Sequence, residues 1–175
     1  MKKAEFKEIW TIGHSTRTIE EFIALLQAFQ IKLLIDIRSY PGSRRYPQFN
    51  KEDLGQSLHA VGIEYIHLSA LGGRRKALPN STNTEWENKS FRGYADYMQT
   101  DEFKKGIKEL DQFALKQSTV YMCSEAVWWR CHRSMVSDYL KREGWTVMHI
   151  LSLTKSEEHP YTTVARNRQG KLFTD

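Results

Sequence analysis

The sequence predicts an α/β protein with a three-layer, Rossmann-like fold, in which about five mostly parallel strands are flanked by helices. Two observations indicate this class: short apolar runs alternate with longer segments of helical periodicity, and no repeat or low-complexity tract interrupts the alternation. The length of 175 residues favours a single domain. We expect its core at about residues 8–151, with the polar tail of residues 152–175 packing on the core or forming an edge hairpin.

The elements can be assigned in chain order. Strands are predicted at about residues 8–12, 32–37, 64–68, 119–123 and 145–151, and helices at about residues 18–29, 50–61, 93–99, 102–116 and 129–143.

In the first half of the chain, capping residues separate these elements. Thr18, with Glu21 three residues later, forms a capping box at the start of the first helix. The second strand is an apolar run with Asp36 near its carboxyl end, and a loop rich in proline, glycine and arginine follows it. Asn50 is expected to cap the next helix, and Gly62 to end it.

The second half contains a long polar segment and the longest helical pattern. Residues 72–92 form a loop of a length that is usually functional or mobile. In the helix after it, Phe103, Ile107 and Leu110 share one face, which indicates core packing. The last predicted helix follows the fourth strand, and Gly144 ends it.

The predicted topology gathers polar residues from three loops. Parallel strands joined by right-handed crossovers have their carboxyl ends at one edge of the sheet, and ligands bind where the strand order reverses. We favour the order 3-2-1-4-5 over the flavodoxin-like 2-1-3-4-5, because it brings the loops after strands one, two and four closest together. Those loops supply Gly13, His14, Ser15, Thr16 and Arg17; Asp36, Arg38, Ser39, Arg44 and Arg45; and Cys123, Glu125, Arg130, Cys131, His132 and Arg133.

The loop after strand four carries most of the reactive side chains. Cys123 ends a strand, faces a helix N-terminus and is close in sequence to Arg133, and positive charge together with the helix dipole lowers the pKa of a thiol. We therefore predict that Cys123 is a nucleophile or a redox thiol, with Glu125 and His132 as proton-transfer groups. The loop is one residue longer than the Cys-x5-Arg loop of tyrosine phosphatases and lacks their glycines, which argues against a phosphatase cradle.

Two further residues are predicted to be catalytic, and a larger set to bind an anion. Cys131 precedes a histidine at the predicted start of a helix, which is an uncommon pair, and His14 follows a glycine at a strand end, where a catalytic imidazole fits. The predicted substrate- or anion-binding residues are Gly13, Ser15, Arg17, Asp36, Arg38, Arg44 and Arg133. A solvated basic loop, or a pair between Arg38 and Asp36, is the alternative interpretation.

The sulfur atoms leave three other interpretations open. Cys123 could be an ordinary buried strand cysteine. Zinc could bind to Cys123, Cys131, His132 and His14, but no pair of ligands at short spacing supports such a site, so we expect no cofactor. A disulfide between Cys123 and Cys131, permanent or redox-cycling, is the third possibility.

Four motifs together point to a known family. They are Thr11-Ile12-Gly13-His14-Ser15; Asp36-Ile37-Arg38 with Pro41-Gly42-Ser43; Cys123 and Glu125 with Cys131-His132-Arg133; and His159-Pro160-Tyr161-Thr162 with Ala165-Arg166. In this combination, which spans nearly the whole chain, the sequence resembles the prokaryotic family catalogued as domain of unknown function 488. The resemblance implies an α/β fold and a cysteine-containing site, and no established reaction comes with it. The pair Trp128 and Trp129 departs from the family pattern and is typical of a variant subgroup.

Composition narrows the classes of function and location. Lys and Arg exceed Asp and Glu by 26 to 21, which favours anionic partners without reaching the charge density of a dedicated nucleic-acid binder. No apolar run approaches the roughly 18 residues of a membrane span, and the N-terminal residues lack the apolar core of a signal peptide. Two cysteines form no disulfide framework. We therefore expect a cytoplasmic protein with no membrane partner.

Two hypotheses for function follow. The first is an enzyme, a cysteine-dependent transferase or hydrolase, that acts on a small anionic substrate, a nucleotide or a nucleic acid. The second is a non-catalytic, basic nucleic-acid-binding or interaction module, whose affinity would fall steeply with added salt. In the second hypothesis, phosphates contact Arg44, Arg45, Arg74, Arg75 and Lys76, and bases stack on Trp128 and Trp129.

Overall fold

The computed structural model describes residues 6–173 and contains a six-stranded sheet with helices on both faces. The strands are β1 (Glu8–Gly13), β2 (Leu33–Asp36), β3 (Glu64–His67), β4 (Thr119–Cys123), β5 (Thr146–Ile150) and β6 (Ser156–Glu158). The helices are α1 (Ile19–Ala28), α2 (Lys51–Ala60), α3 (Lys89–Tyr97), α4 (Asp101–Lys116), α5 (Arg133–Arg142) and α6 (Thr163–Asn167). None of the helices within residues 6–173 has the length and apolar character needed to cross a membrane.

The strand order is β3-β2-β4-β1-β5-β6, in which β1 to β5 are parallel and β6 is antiparallel to β5. The predicted α/β class with a mostly parallel sheet is confirmed, and the order is close to the predicted 3-2-1-4-5. The difference is that β4 and β1 exchange places. All five residues of β4 are buried, and Val120 lies opposite both Leu34 of β2 and Trp10 of β1, so β4 takes the central position.

Alternate residues of the strands pack on opposite faces of the sheet, as the pleat requires. On one face, Leu34 and Met122 belong to a buried cluster with apolar residues of α1 and α2. On the other face, Ile35 and Tyr121 belong to a second cluster, with residues of α3, α4, α5 and α6. The chain therefore leaves β1 towards one face and β4 towards the other. The carboxyl ends of these adjacent strands form the crevice that open α/β sheets use for ligands.

The predicted start of α1 is confirmed, and the predicted start of α5 is wrong. The capping box is confirmed, because Thr18 Oγ1 accepts from the amide of Glu21 at 3.1 Å and Glu21 Oε2 accepts from the amide of Thr18 at 3.1 Å. The start predicted near residue 129 is wrong, since α5 begins at Arg133. The backbone of Cys131 is extended, with φ −139° and ψ 171°, and cannot be part of a helix. Cys131 therefore lies in the loop before α5.

The segment before α3 is anchored by a buried carboxylate. Asp96 of α3 accepts from the amide of Leu78 at 2.9 Å, from Ser81 Oγ at 2.6 Å and from Asn83 Nδ2 at 2.7 Å. These bonds hold the polar segment against the helix. Beyond β5, the chain turns back to pair β6 with it and then forms α6, whose Ala165 is part of the core.

Candidate functional site

A cleft of about 900 Å³ opens at the carboxyl ends of β1, β2 and β4. The predicted site residues that line it are His14, Ser15, Arg38, Cys123, Glu125, Cys131 and His132. Other residues of its wall include Tyr40, Gly42, Arg45, Tyr46, Arg74, Phe91 and Arg130. The structure thus brings the loops after these three strands together, as the topology predicts.

The loops after β1 and β4 are joined through their main chains. The amide of His14 donates to the carbonyl of Cys123 at 3.0 Å, and the amide of Ser15 donates to the carbonyl of Ser124 at 3.0 Å. A Cβ atom on Gly13 would lie 1.6 Å from the carbonyl oxygen of Glu125, so only glycine permits this approach. Gly13 therefore sets the distance between the two loops and does not itself line the cleft.

Two free thiols lie in contact at the floor of the cleft. The Sγ atoms of Cys123 and Cys131 are 2.8 Å apart, and both residues are buried. Cys131 Sγ also accepts from the amide of Arg133 at 3.4 Å, and Cys123 Sγ lies 3.8 Å from the carbonyl oxygen of Glu125.

Burial and the surrounding charges shift the pKa values of the two thiols in opposite directions. Burial works to raise the pKa of Cys123, but the hydrogen bond from Cys131 and the positive charge of Arg133 outweigh it and lower this pKa to about 7. Burial raises the pKa of Cys131, and its role as donor to Cys123 raises it further. When the pair loses its first proton, the negative charge therefore lies on Cys123 and the remaining proton on Cys131.

Arg133 is a buried cation beside this pair. Its Nη1 donates to Thr11 Oγ1 at 3.3 Å and its Nη2 to the carbonyl of Glu125 at 3.0 Å, and the residue is 2% exposed. Among residues 6–173, Arg133 forms no ion pair with a carboxylate. A buried charge is costly unless an opposite charge is near, and the Cys123 thiolate provides one. Arg133 therefore acts on the thiol from beneath the cleft and does not line it.

The two histidines of the cleft are neutral at pH 7. Burial lowers the pKa of His14 and that of His132 to about 4 in each case. His14 donates from Nδ1 to the carbonyl of Ser15 at 2.8 Å, and its ring stacks on Phe49. His132 donates from Nε2 to the carbonyl of Ile37 at 2.8 Å, which leaves its Nδ1 as an acceptor on the side of Gly73.

Asp36 and Arg38 form an internal ion pair.

 Arg38 donates from Nε to Asp36 Oδ1 at 2.9 Å and from Nη2 to Asp36 Oδ2 at 2.7 Å, while Tyr65 donates its hydroxyl to Oδ2 at 2.6 Å. Asp36 is fully buried and its carboxylate is occupied by these donors. Of the two interpretations of this pair, the structure has the ion pair, and Asp36 holds Arg38 in place at the wall of the cleft.

The exposed cations of the cleft are only partly those that the sequence singled out. Arg17 donates from Nη1 to the carbonyl of Gly13 at 2.6 Å, and Arg44 is exposed outside the cleft wall. Arg45, Arg74 and Arg130 are exposed and line the cleft instead. Among the described residues of the wall, Glu125 alone is acidic, so positive charge predominates. Such a cleft attracts anions.

Sequence reasoning missed a buried chain of side chains behind Arg133. Thr11 Oγ1 is 2.6 Å from His149 Nδ1, His149 Nε2 is 2.9 Å from His159 Nδ1, and His159 Nε2 is 2.7 Å from Asp138 Oδ1. Donation in one direction, from Arg133 through Thr11 and the two histidines to Asp138, satisfies every group. Burial lowers the pKa of His149 to about 2, which keeps that ring neutral.

Two signals for this chain were present in the sequence. Thr11 opens the first motif and His159 opens the fourth, whereas His149 looks like an ordinary strand residue. Thr11 and His149 meet only because β1 and β5 are neighbours in the sheet, where the two residues lie opposite each other.

The positions of the cysteine and histidine side chains also decide whether this site could hold a metal ion. Residues 6–173 contain no group of three or more His, Cys, Asp or Glu residues that could hold a metal ion. The two sulfurs contact each other, and the donor nitrogens of His14 and His132 are directed at carbonyl oxygens.

Comparison with known proteins gives one family. The model of the family described as domain of unknown function DUF488 matches residues 18–140, which include β2, β4 and both cysteines. No match was found to a curated protein or to a solved structure. Since the matched segment is well over half of the chain, this protein belongs to the family of domain of unknown function DUF488.

Proposed function

We propose that this protein is an enzyme that uses the thiolate of Cys123 as a nucleophile on a substrate with an anionic group. One observation carries the proposal: two thiols 2.8 Å apart lie at the floor of an arginine-lined cleft, with the buried cation of Arg133 beside them. A thiolate that is ionised near pH 7 is a far better nucleophile than a thiol. The arrangement favours chemistry at sulfur over a purely structural role for Cys123.

The other residues of the cleft have complementary roles in this proposal. Arg45, Arg74 and Arg130 bind the anionic group of the substrate, because guanidinium groups pair well with phosphate and carboxylate. His132 and Glu125 are the proton-transfer groups, since the neutral His132 ring retains Nδ1 as an acceptor. The substrate is a small anion, a nucleotide or a nucleic acid, and the reaction class is transfer or hydrolysis.

The proposal does not extend to a phosphatase. A phosphatase cradle turns main-chain amides towards the phosphate that the cysteine attacks. Here the carbonyl oxygen of Glu125 lies 3.8 Å from Cys123 Sγ and accepts from Arg133. A carbonyl oxygen turned towards the sulfur offers no hydrogen bond to a phosphate bound there. The anionic group of the substrate therefore binds to arginine side chains on the walls and not to main-chain amides around Cys123.

A second candidate function is a binding module for single-stranded nucleic acid. Trp129 is 54% exposed next to Arg130, and Tyr40 is 72% exposed beneath the guanidinium of Arg74. Exposed rings beside cations bind bases by stacking and phosphates by charge. Trp128 has no such role, because it stacks on His149 and donates to Glu157. This candidate gives no reason for the paired thiols, and it predicts an affinity for oligonucleotides that falls steeply with added salt.

Alkylation of the native protein by iodoacetamide tests the proposed enzyme. We expect Cys123 to be alkylated with a rate that is half-maximal near pH 7, the value to which its pKa is lowered, as followed by mass spectrometry of the modified peptide. Inorganic pyrophosphate, as a probe anion, is expected to slow the reaction by occupying the cleft.

Two variants serve as test and matched control. Replacing both Arg45 and Arg74 by Ala removes two cations from the cleft and is expected to abolish the protection by pyrophosphate. Arg142→Ala removes an exposed arginine that pairs with Glu143 outside the cleft, and this variant is expected to keep the protection by pyrophosphate. If Cys123 is alkylated only well above pH 8, or if pyrophosphate never protects it, the proposal is wrong.

A further inference from the structure

The sulfur atoms of the two cysteines lie close enough together to form a disulfide. Cys123 Sγ and Cys131 Sγ are 2.8 Å apart, whereas the sulfurs of a disulfide are about 2.05 Å apart. The two thiols can therefore join through small rotations of their side chains. Cys123 ends β4 and Cys131 lies in the loop that joins β4 to α5, so the body of the sheet and the helix need not move.

We infer that Cys123 and Cys131 form a redox-active dithiol that reduces disulfide-containing substrates with carboxylate or phosphate groups. The inference rests on the proposed function, because it assigns a substrate class and a reaction to the same cleft and the same nucleophile. It differs from a structural disulfide, since the pair cycles between two thiols and one disulfide.

The reaction proceeds in two balanced steps. The Cys123 thiolate attacks one sulfur of the substrate disulfide, forming a mixed disulfide and releasing the other half of the substrate as a thiolate. The released thiolate takes the proton of Cys131, and the Cys131 thiolate then attacks Cys123 Sγ, which forms the disulfide between the two cysteines and releases the second half of the substrate as a thiolate. Two electrons and one proton pass in total from the cysteine pair to the substrate, and the second half takes its proton from water.

The local charges suit this order of events. Before the first step, Cys131 holds its proton because it is buried and donates a hydrogen bond to the Cys123 thiolate. Formation of the mixed disulfide removes the negative charge from Cys123. The guanidinium of Arg133, together with its main-chain amide, which donates to Cys131 Sγ at 3.4 Å, then stabilises a thiolate on Cys131 instead. The first step thus activates the thiol that performs the second.

The dimensions of the cleft favour a disulfide over a smaller oxidant such as a peroxide. A volume of about 900 Å³ is in the range of sites for drug-sized ligands. Arg45, Arg74 and Arg130 on its wall select for a substrate with negative groups. A hydroperoxide would use neither the volume nor the cations.

The test mixes the reduced native protein with one of two probe disulfides. Glutathione disulfide carries carboxylates, and cystamine carries only ammonium groups. With glutathione disulfide, we expect an internal bond between Cys123 and Cys131, seen by mass spectrometry as the loss of two hydrogen atoms, and the release of both glutathione halves as thiols. The reaction with cystamine is expected to be roughly tenfold slower or more, because the cleft repels a cation. Dithiothreitol should restore the reduced protein.

Single-cysteine variants identify the order of the steps. Cys131→Ser is expected to stop at a mixed disulfide with one glutathione on Cys123, and Cys123→Ser to accumulate none. The inference is overturned if the native protein retains a stable mixed disulfide, does not react, or reacts faster with cystamine. If it fails while Cys123 is still alkylated near pH 7 and protected by pyrophosphate, the proposed nucleophile stands. Failure of the alkylation experiment as well would remove both.

Discussion

The guanidinium of Arg133 lies between the thiol pair and the hydrogen-bonded chain that ends at Asp138. It donates to Thr11 on one side and to the carbonyl of Glu125 on the other, and it is buried without a carboxylate partner among residues 6–173. Its charge lowers the pKa of Cys123. A buried cation and a buried thiolate each reduce the free-energy cost of burying the other charge. The ionisation of Cys123 and the position of Arg133 therefore depend on one another.

Substitution of Arg133 tests this dependence. We expect Arg133→Met to move the alkylation profile of Cys123 to higher pH by about one unit or more, because burial then acts without the opposing positive charge. Arg133→Lys retains the charge and should shift the profile less. The measurement is the rate of iodoacetamide reaction between pH 5 and pH 10.

The control for that series is Arg142→Met, which removes an exposed arginine at the end of α5. Its profile should match that of the native protein. An Arg133→Met protein that is folded by circular dichroism and has an unshifted profile would show that Arg133 does not activate the thiol.

At the scale of elements, the site depends on how closely β1 approaches the loop after β4. Gly13 lies opposite Cys123 in the sheet, and the next two amides donate to the carbonyls of Cys123 and Ser124. The approach leaves no room for a side chain, because Glu125 O lies where a Cβ of residue 13 would be. The positions of Cys123 and of the Glu125 carbonyl that accepts from Arg133 are therefore fixed by main-chain contacts.

Gly13→Ala is expected to destabilise the protein by about 2 kcal/mol or more, because a methyl group there must push two main-chain segments apart. Gly42→Ala is the matched control. Gly42 lines the same cleft, and an added Cβ meets nothing within 4 Å, so its stability should stay close to that of the native protein. Urea unfolding followed by tryptophan fluorescence measures both. Equal midpoints for the two variants would contradict the close approach.

Local patterns predicted most elements, because their causes are local. The capping box of Thr18 and Glu21 marks the start of α1, and the predicted strand at residues 119–123 coincides with β4. The start of α5 was placed too early because nothing local indicates the extended backbone of Cys131, whose sulfur contacts that of Cys123. Asn50 lies at the start of α2 as predicted, yet its side chain accepts from the amide of Ser43 and does not cap the helix.

The features that sequence reasoning missed depend on long-range pairing. The exchange of β1 and β4 is decided by which strands pair, and not by the composition of either strand. The pairing of β1 with β5 brings His149 to Thr11, and the return of the chain in β6 brings His159 to His149. The cluster at Cys123 was predictable because its members lie within one loop and at the ends of adjacent strands. The hydrogen-bonded chain from Thr11 to Asp138 behind Arg133 was not predictable, since its parts come from four separate segments.

At the scale of the whole molecule, three histidines with lowered pKa values link stability to pH. Burial lowers the pKa of His14 and His132 to about 4 and that of His149 to about 2, whereas an unfolded histidine titrates near pH 6.5. Below pH 6.5 the unfolded chain therefore binds protons that the folded chain does not. The stabilisation is fully present above pH 6.5 and is lost as the pH falls towards the folded pKa values.

We expect the free energy of unfolding to fall between pH 6.5 and pH 4, with each of these histidines contributing up to about 1.4 kcal/mol per pH unit. His132→Gln should reduce the slope of the free energy of unfolding against pH by about 1 kcal/mol per pH unit, because glutamine can donate to the carbonyl of Ile37 without taking up a proton. His59→Gln replaces an exposed histidine of α2 and should leave the slope unchanged. Urea unfolding at intervals of half a pH unit gives the three slopes. If His132→Gln and His59→Gln have the same slope, His132 is not held neutral in the folded protein, and its assignment as a proton acceptor in the cleft loses its basis.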